Sequence, residues 1–179
     1  PQQLLELLAQ ESVRIVSLTI TEKGYCHDPA SGNLNPQHPD VVHDLANPQT
    51  PKSALGYIVG ALALRKERGL PGFTVLSCDN LPSNGKLLGK VLSQYAAQVD
   101  GELAAWIAEN TTTPATMVDR IVPATTDADR EELEAILGCR DEAAVMAEPF
   151  SQWVVEDNFL RGRPEWDKAG ATFVDDVEV

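Results

Sequence analysis

The sequence predicts an α/β fold: part of a doubly wound, mostly parallel sheet, with a last third that is richer in strands. Apolar runs at residues 13–20, 73–78 and 117–122 predict strands, and helical patterns separate them. Strands that alternate with helices along a chain are joined by right-handed crossovers and pair mostly in parallel. The 179 residues are 43% hydrophobic and 23% charged, which is typical of one globular domain with a real core.

The first element is a strand at residues 13–20, a β-branched run without a helical stripe. Residues 21–47 are rich in Pro, Asn, Asp, His and Gly. Their apolar residues follow neither the two-residue period of a strand nor the 3.6-residue period of a helix, so we expect a long loop there. Ser53 then caps a helix that ends in basic residues before Gly69. Basic residues and a glycine are both favoured at the carboxyl end of a helix.

The middle of the chain starts with the second strand, at residues 73–78. Apolar residues then keep helical spacing from Leu87 to Ile107, which predicts one long helix with a bend near Gly101. The third strand, at residues 117–122, is short.

A further helix is predicted after the third strand, because Thr126 and Asp129 resemble a capping box with Asp in place of the usual Glu or Gln. We expect it to stop near Gly138 and to bury three apolar residues, Leu133, Ile136 and Leu137. The last third then shows three strand-like runs, at residues 144–150, 153–156 and 172–177, with Gly162 and Pro164 in the turn between the last two.

The overall composition excludes several classes of partner. A net charge of −13 opposes binding to nucleic-acid phosphates. No apolar run reaches the roughly 20 residues that span a bilayer, and no signal peptide is recognisable, so we expect no membrane partner. The odd number and wide spacing of Cys26, Cys78 and Cys139 favour reduced thiols and a cytoplasmic location. Because the chain starts at Pro1 and closes without a helical stop or a tail, we expect a fragment.

The strongest functional signal is the polar cluster that follows the second strand. Asp79, Asn80 and Asn84 come where an apolar run ends and a helical pattern begins. Ligands of open α/β sheets bind at the carboxyl ends of the strands. The Asn80 amide can donate a hydrogen bond to a carbonyl or alkoxide oxygen without titrating, as an oxyanion stabiliser must. The alternative, that these residues only cap the helix and shape its turn, stays open.

Two further clusters are candidates at the same edge of the sheet. Asp119 and Arg120 are a charged pair inside an apolar strand, a placement that often marks a site and otherwise indicates an edge-strand salt bridge. Glu22 and Lys23 close the first strand, and Lys23 could contact a phosphate or a hydroxyl. An ordinary exposed turn explains Glu22 and Lys23 equally well.

Other common sites are not predicted by this sequence. His27, His38 and His43 have no compact zinc spacing with Cys26 or Asp28, so we expect no metal. The sequence contains no G-x-S-x-G elbow, no Walker A motif and no G-x-G-x-x-G turn.

Five segments, taken in order, resemble the long-chain mannitol dehydrogenase family, which includes mannitol 2-dehydrogenase, fructuronate reductase and tagaturonate reductase. The segments are residues 17–25, 76–85, 116–123, 147–157 and 162–166. The resemblance implies that residues 1–179 are the second half of a Rossmann-like dinucleotide-binding domain. It also implies that the glycine-rich turn, expected upstream, and the helical catalytic domain, expected downstream, are both absent.

The resemblance implies an oxidoreductase that transfers a hydride between NAD, or NADP, and a polyol or a hexuronate-derived substrate. Asn80 would polarise the reacting oxygen, while Glu22, Lys23 and Asp79 would lie near the cofactor. Three residues would lie near the substrate: Asn84, Arg120 and Asp119, the last also near the nicotinamide. No residue is a convincing general base, so we expect the fragment alone to be inactive and to be a monomer or a weak homo-oligomer. A non-catalytic nucleotide- or sugar-binding module, or a structural remnant, are the alternatives.

Overall fold

The computed structural model describes residues 1–178, apart from the side chain of Asp119. Strands β1 (Ile15–Leu18) and β2 (Thr74–Ser77) pair in parallel, with Ile15 opposite Thr74. Both lie inside the predicted strands at residues 13–20 and 73–78. All four residues of β2 are buried, as expected for a central strand of an α/β sheet.

Helices cover one face of this parallel pair. Helix α1 (Gln2–Leu8) packs on α4 (Ala54–Glu67), and the Ser53 hydroxyl caps α4 as predicted, accepting a hydrogen bond from the Gly56 N–H at 2.9 Å. The core lies between β1–β2 and the helices on both sides of β2 in the chain, α4 before it and two helices after it, and Phe73, Val75 and Leu88 in the core are fully buried. None of the helices within residues 1–178 is long and apolar enough to cross a membrane.

The expectation of one long loop at residues 21–47 was wrong. This segment contains helices α2 (Thr21–Gly24) and α3 (Pro39–Ala46), and an isolated antiparallel bridge joins His27 to Leu34. Proline at the first helical position after His38 is a start signal that composition alone concealed.

The single long helix predicted up to Ile107 is in fact two helices. Helix α5 (Asn84–Val99) starts earlier than expected, and α6 (Gly101–Asn110) follows after one residue. Asp100 separates them because its backbone is extended and its carboxylate accepts the Leu103 N–H at 2.7 Å. The apolar spacing carries on across the break, so it predicted one helix, but the break lies next to the predicted bend at Gly101.

The second sheet contains β3 (Thr116–Asp119), β4 (Gln152–Glu156) and β5 (Thr172–Val174), in that order. Strand β4 pairs in parallel with β5 but antiparallel with β3, so the sheets are mostly but not wholly parallel. The strand expected at residues 144–150 was wrong, since that segment is irregular and a short 3-10 helix instead lies farther on, at Trp166–Ala169.

Helix α7 (Asp127–Leu137) has the predicted capping box at Thr126 and ends at Gly138 in the left-handed conformation. Its predicted burial was wrong, because Ile136 is 74% exposed and Leu137 is 54% exposed, and Leu133 is half-buried. A helical stripe identifies the apolar face of a helix, but it does not show whether another element covers that face.

Candidate active site at the carboxyl edge of the parallel strands

The chain turns sharply after both parallel strands, and the two turns meet. We call them the rim: residues 20–25 after β1 and residues 78–84 after β2. Each turn contains a non-glycine residue in the left-handed region, Thr21 at φ 61° and Ser83 at φ 51°. A β-branched residue such as Thr21 rarely adopts this conformation, and such backbone strain is concentrated at functional sites.

Asp79 connects the two halves of the rim. Its Oδ2 accepts the Ile20 N–H at 3.1 Å and its Oδ1 accepts the Thr21 N–H at 2.9 Å. The Tyr25 hydroxyl donates to Oδ2 as well, at 2.7 Å. Both carboxylate oxygens of this predicted cofactor contact are thus hydrogen-bonded within the chain.

Tyr25 is a rim residue that sequence reasoning missed. It is fully buried, and its hydroxyl lies 2.5 Å from the Ser77 hydroxyl as well as contacting Asp79. Burial raises the pKa of Tyr25 well above its usual value, and the charge of Asp79 raises it further. The phenol therefore stays protonated at neutral pH and serves as a donor.

Asn80, the predicted catalytic residue, is exposed at the surface of the rim. The turn around it is closed by the Leu81 N–H, which donates to the Asp79 carbonyl at 2.9 Å. Among the residues that the structure describes, its side chain has no hydrogen-bond partner, so the amide faces outward and can meet a ligand. Its neighbour Cys78 is half-buried, and burial followed by the charge of Asp79 raises the pKa of its thiol.

Asn84 lies beneath the rim and is completely buried. Its amide nitrogen contacts the Asp79 carbonyl at 3.0 Å and the Thr116 carbonyl at 3.0 Å, and its oxygen accepts the Thr116 N–H at 2.9 Å. These bonds tie the end of β2 to the start of β3. Contact between Asn84 and a substrate stays a prediction.

Glu22 and Lys23 lie on α2 with exposed side chains, on the same rim as Asn80. The second polar cluster belongs to β3, which continues from a parallel bridge between Thr74 and Thr112 and so ends toward the same edge. The backbone of Asp119 pairs with Gln152, but its side chain lies outside the described part. Arg120 is exposed, and its Nε donates to the Glu148 carbonyl at 3.1 Å.

Sequence reasoning also missed a clasp at the amino-terminal end of α5, formed by Ser83, Lys86 and Glu178. The Glu178 carboxylate accepts a hydrogen bond from the Ser83 hydroxyl and pairs with the Lys86 ammonium. The hydrogen bond from Lys86 lowers the pKa of Glu178, and Ser83 adds to that effect. Because the partners are about ninety residues apart, no local sequence pattern indicates this contact.

A cavity of about 610 Å³ opens on the face of β1–β2 that carries the side chains of Ile15, Ser17, Leu76 and Cys78. Alternation along the strands directs Val16, Leu18 and Val75 to the opposite face, against the helices. Arginines and tryptophans form the outer walls of this cavity: Arg14, Arg161, Arg163, Trp153 and Trp166.

The geometry therefore offers an exposed amide donor, an exposed lysine and an exposed carboxylate on a strained, tightly bonded rim. An amide donor in a fixed turn can stabilise negative charge that develops on an oxygen. The titratable groups nearest to it in the chain are poorly suited to proton transfer. Both oxygens of Asp79 already accept hydrogen bonds from the chain, and burial raises the pKa of the Cys78 thiol.

Comparison with known proteins gives a consistent result. The family model described as the mannitol dehydrogenase Rossmann domain matches residues 1–168. The chain is 55% identical over 174 residues to a D-mannonate oxidoreductase of Escherichia coli (strain K12), covering 97% of this chain and 36% of the relative.

Two solved structures share the fold. A D-sorbitol dehydrogenase in substrate-free form superposes with a TM-score of 0.88 at 44% identity, over 99% of this chain and 37% of that one. The mannitol 2-dehydrogenase of Pseudomonas fluorescens, in a ternary complex with NAD and D-mannitol, gives a TM-score of 0.85 at 48% identity, over 98% and 36%. The chain thus spans little more than a third of the length of these proteins.

Proposed function

Because this chain belongs to the mannitol dehydrogenase family, as a Rossmann domain of that family, we propose that the whole protein is an NAD(P)-dependent oxidoreductase. It interconverts a polyol, or a hexuronate-derived hydroxy acid, and the corresponding ketose. The observation that supports this most is the rim, where Asn80 is exposed beside the Glu22–Lys23 turn at the carboxyl ends of two parallel strands.

The rim has features that a dinucleotide needs. Lys23 is an exposed cation suited to a phosphate, and Glu22 is an exposed carboxylate suited to a ribose hydroxyl. When bound, the nicotinamide supplies or accepts the hydride. We assign these two residues to the cofactor, with NAD as the first candidate and NADP as the second.

In this proposal Asn80 donates a hydrogen bond to the reacting oxygen of the substrate. The oxygen gains negative charge as the ketose is reduced, and a fixed amide donor stabilises that charge without exchanging a proton. Three residues are proposed to lie near the substrate, Asn84, Asp119 and Arg120, with Asp119 also near the nicotinamide.

The proton must come from another group. Of the two titratable groups next to Asn80, Asp79 already accepts three hydrogen bonds from the chain, and burial raises the pKa of the Cys78 thiol, so we assign this role to neither. We propose that the base belongs to a helical domain of the longer protein. The 179 residues would then be the second half of the dinucleotide-binding domain and inactive alone.

The first test is an activity assay on the protein expressed from the natural reading frame. NADH and NADPH oxidation would be followed with fructuronate, tagaturonate and fructose as substrates. Turnover with one of them supports the proposal and names the substrate. Cofactor binding without turnover on any ketose would favour a non-catalytic binding module. Turnover by the 179-residue chain alone would contradict the proposal that the base belongs to another domain.

The second test is the variant Asn80→Ala in the active protein. Loss of one donor to a developing oxyanion lowers kcat on the order of a hundredfold. Asn158→Ala is the matched control, because Asn158 is also an exposed asparagine but lies after β4, away from the rim. Equal kcat values for the two variants would remove Asn80 from the mechanism.

The expected surroundings of this enzyme follow from the chain's chemistry. Its thiols are free, with Cys139 exposed, which favours the cytoplasm. We propose a monomer or a weak homo-oligomer that binds small molecules and neither nucleic acid nor membranes.

A further inference from the structure

Asp79 makes all of its side-chain bonds to the turn that follows β1. Its three donors are the N–H groups of Ile20 and Thr21 and the hydroxyl of Tyr25, which lie 54 to 59 residues earlier in the chain. The next residue after Asp79 is Asn80, so one dipeptide carries both the internal connection and the exposed amide.

The turn that Asp79 holds cannot cap itself. Helix α2 has only four residues, and its N-cap residue, Ile20, offers no side-chain acceptor. Asp79 provides the acceptor from the neighbouring strand instead, and its negative charge faces the amino-terminal end of the helix. The left-handed conformation of Thr21, at φ 61°, is unfavourable for a β-branched residue and needs such support.

Tyr25 anchors the other end of the same turn. Its ring is fully buried, and its hydroxyl reaches both Ser77, at the end of β2, and Asp79. The turn after β1 is therefore attached to the end of β2 at both of its ends, and Glu22 and Lys23 lie between the two attachments.

We propose that Asp79 is a positioning residue, which holds the strained Thr21 turn and thereby sets Glu22 and Lys23 in register with Asn80. This inference rests on the proposed function for the meaning of those three residues, but not for the bonds themselves. Asp79 acts on a bound cofactor through the rim, because both of its oxygens already accept hydrogen bonds from the chain.

The test uses Asp79→Asn, which places an amide N–H where the carboxylate now accepts. In the full reading-frame protein, kcat/KM falls on the order of a hundredfold because the rim is misplaced, with most of the loss in KM for NADH. Adding Thr21→Gly restores at least about tenfold, since glycine adopts a positive φ without support. If Asp79 instead bound the cofactor directly, Thr21→Gly would restore no activity, and that result would overturn the proposal.

Asp28→Asn is the matched control. Asp28 also accepts a backbone N–H and a hydroxyl, both from Ser31, but it is exposed and only closes its own turn. We expect its kcat/KM to stay within about threefold of the parent value. If Asp79→Asn fails to fold, Tyr25→Phe removes a single donor and should raise KM for NADH in the same direction; an unchanged KM would contradict the proposal.

An NMR readout separates this proposal from the proposed function. In ¹⁵N spectra of the full reading-frame protein, the Ile20 and Thr21 amide signals should shift upfield in Asp79→Asn, because both lose a charged acceptor. That shift in a protein without oxidoreductase activity would leave the positioning role intact while the proposed function fails. Unchanged signals would overturn the positioning role, whatever the activity.

Discussion

At the scale of single residues, Arg65 is the most unusual member of the core. Its side chain is fully buried, and its guanidinium donates to the carbonyls of Gln10 at 2.7 Å and Val13 at 2.9 Å. It lies 5.1 Å from the centre of the Phe73 ring, and no carboxylate pairs with it among the described residues. Burial lowers the pKa of Arg65. The residue joins the segment between α1 and β1 to the core.

Arg65→Met should therefore destabilise the fold by about 3 kcal/mol, because the part-buried carbonyls of Gln10 and Val13 lose a charged donor. Arg68→Ala is the control, since Arg68 only pairs with Glu6 on the surface and should cost at most about 1 kcal/mol. Urea unfolding followed by circular dichroism measures both. Equal unfolding midpoints for Arg65→Met and Arg68→Ala would show that the buried cation contributes no more stability than the surface ion pair.

Asp44 makes the stability of the fold depend on pH in the acidic range. It is 1% exposed, and its carboxylate accepts from Ser53 Oγ at 2.7 Å, Lys52 N at 2.8 Å and His43 Nδ1 at 2.9 Å. Burial alone would raise its pKa, but the hydrogen bonds from His43, Ser53 and Lys52 prevail, so the pKa of Asp44 is lowered below 3.8.

A lowered pKa means that the stabilisation is complete above pH 3.8 and is lost as the pH falls from there through the folded-state value. We expect Asp44→Asn to be less stable than the parent at pH 7 and to lose less stability between pH 4 and pH 2. Thermal unfolding across that pH range checks this. Parallel pH profiles for the parent and Asp44→Asn would contradict it.

At the scale of elements, sequence patterns succeeded where the cause is local. The alternation of strands and helices predicted β1 and β2, and Ser53 and Thr126 cap helices as expected. Sequence patterns failed where burial depends on a partner that is distant in the chain. The face of α7 is apolar, yet nothing in the periodicity reveals that this face lies open to solvent.

The same limit applies to the candidate site. The sequence predicted a polar rim from residue types, but residue type alone does not distinguish the roles of Asp79, Asn80 and Asn84. The structure separates them by their partners: Asn84 binds Thr116, Asp79 binds the turn after β1, and Asn80 faces outward. Those partners are more than thirty residues away, so only the fold can assign them.

The contact between α5 and the segment before β3 is tight enough to test. A Cβ on Gly85 would lie 2.5 Å from the Ala115 nitrogen and 2.5 Å from the Thr113 carbonyl oxygen. Gly85→Ala should thus cost about 3 kcal/mol, because backbone must move to admit it. Gly101→Ala meets nothing within 4 Å and should stabilise by about 0.5 kcal/mol. Denaturant midpoints of similar value for the two variants would refute the tight contact.

At the scale of the whole molecule, apolar side chains remain on the surface between β3 and β4. Several are more than half exposed: Ile121, Val122, Ile136, Leu137, Val145 and Phe150. Ion pairs contribute to holding this region, and Arg140 reaches Asp127 at 3.4 Å and Glu134 at 3.9 Å. Exposed apolar surface of this kind favours association.

We expect the 179-residue chain to self-associate weakly as its concentration rises. Ile136→Glu should reduce this, since it places a charge on the most exposed of these side chains. Sedimentation velocity over a concentration series measures the effect, with Leu7→Glu on α1 as an exposed apolar control elsewhere. If Leu7→Glu reduces association as much as Ile136→Glu does, the region between β3 and β4 is not the contact.

The direct pairing of β3 with β4 has a consequence for how this fold can vary. Met117 lies opposite Val154, so the register of the sheet does not depend on the path that the chain takes between the two strands. Residues 124–146 can therefore lengthen, shorten or change composition over evolutionary time while the rim keeps its geometry. The segment between β3 and β4 is therefore free to diversify, whereas the turns around Asp79 must keep their geometry.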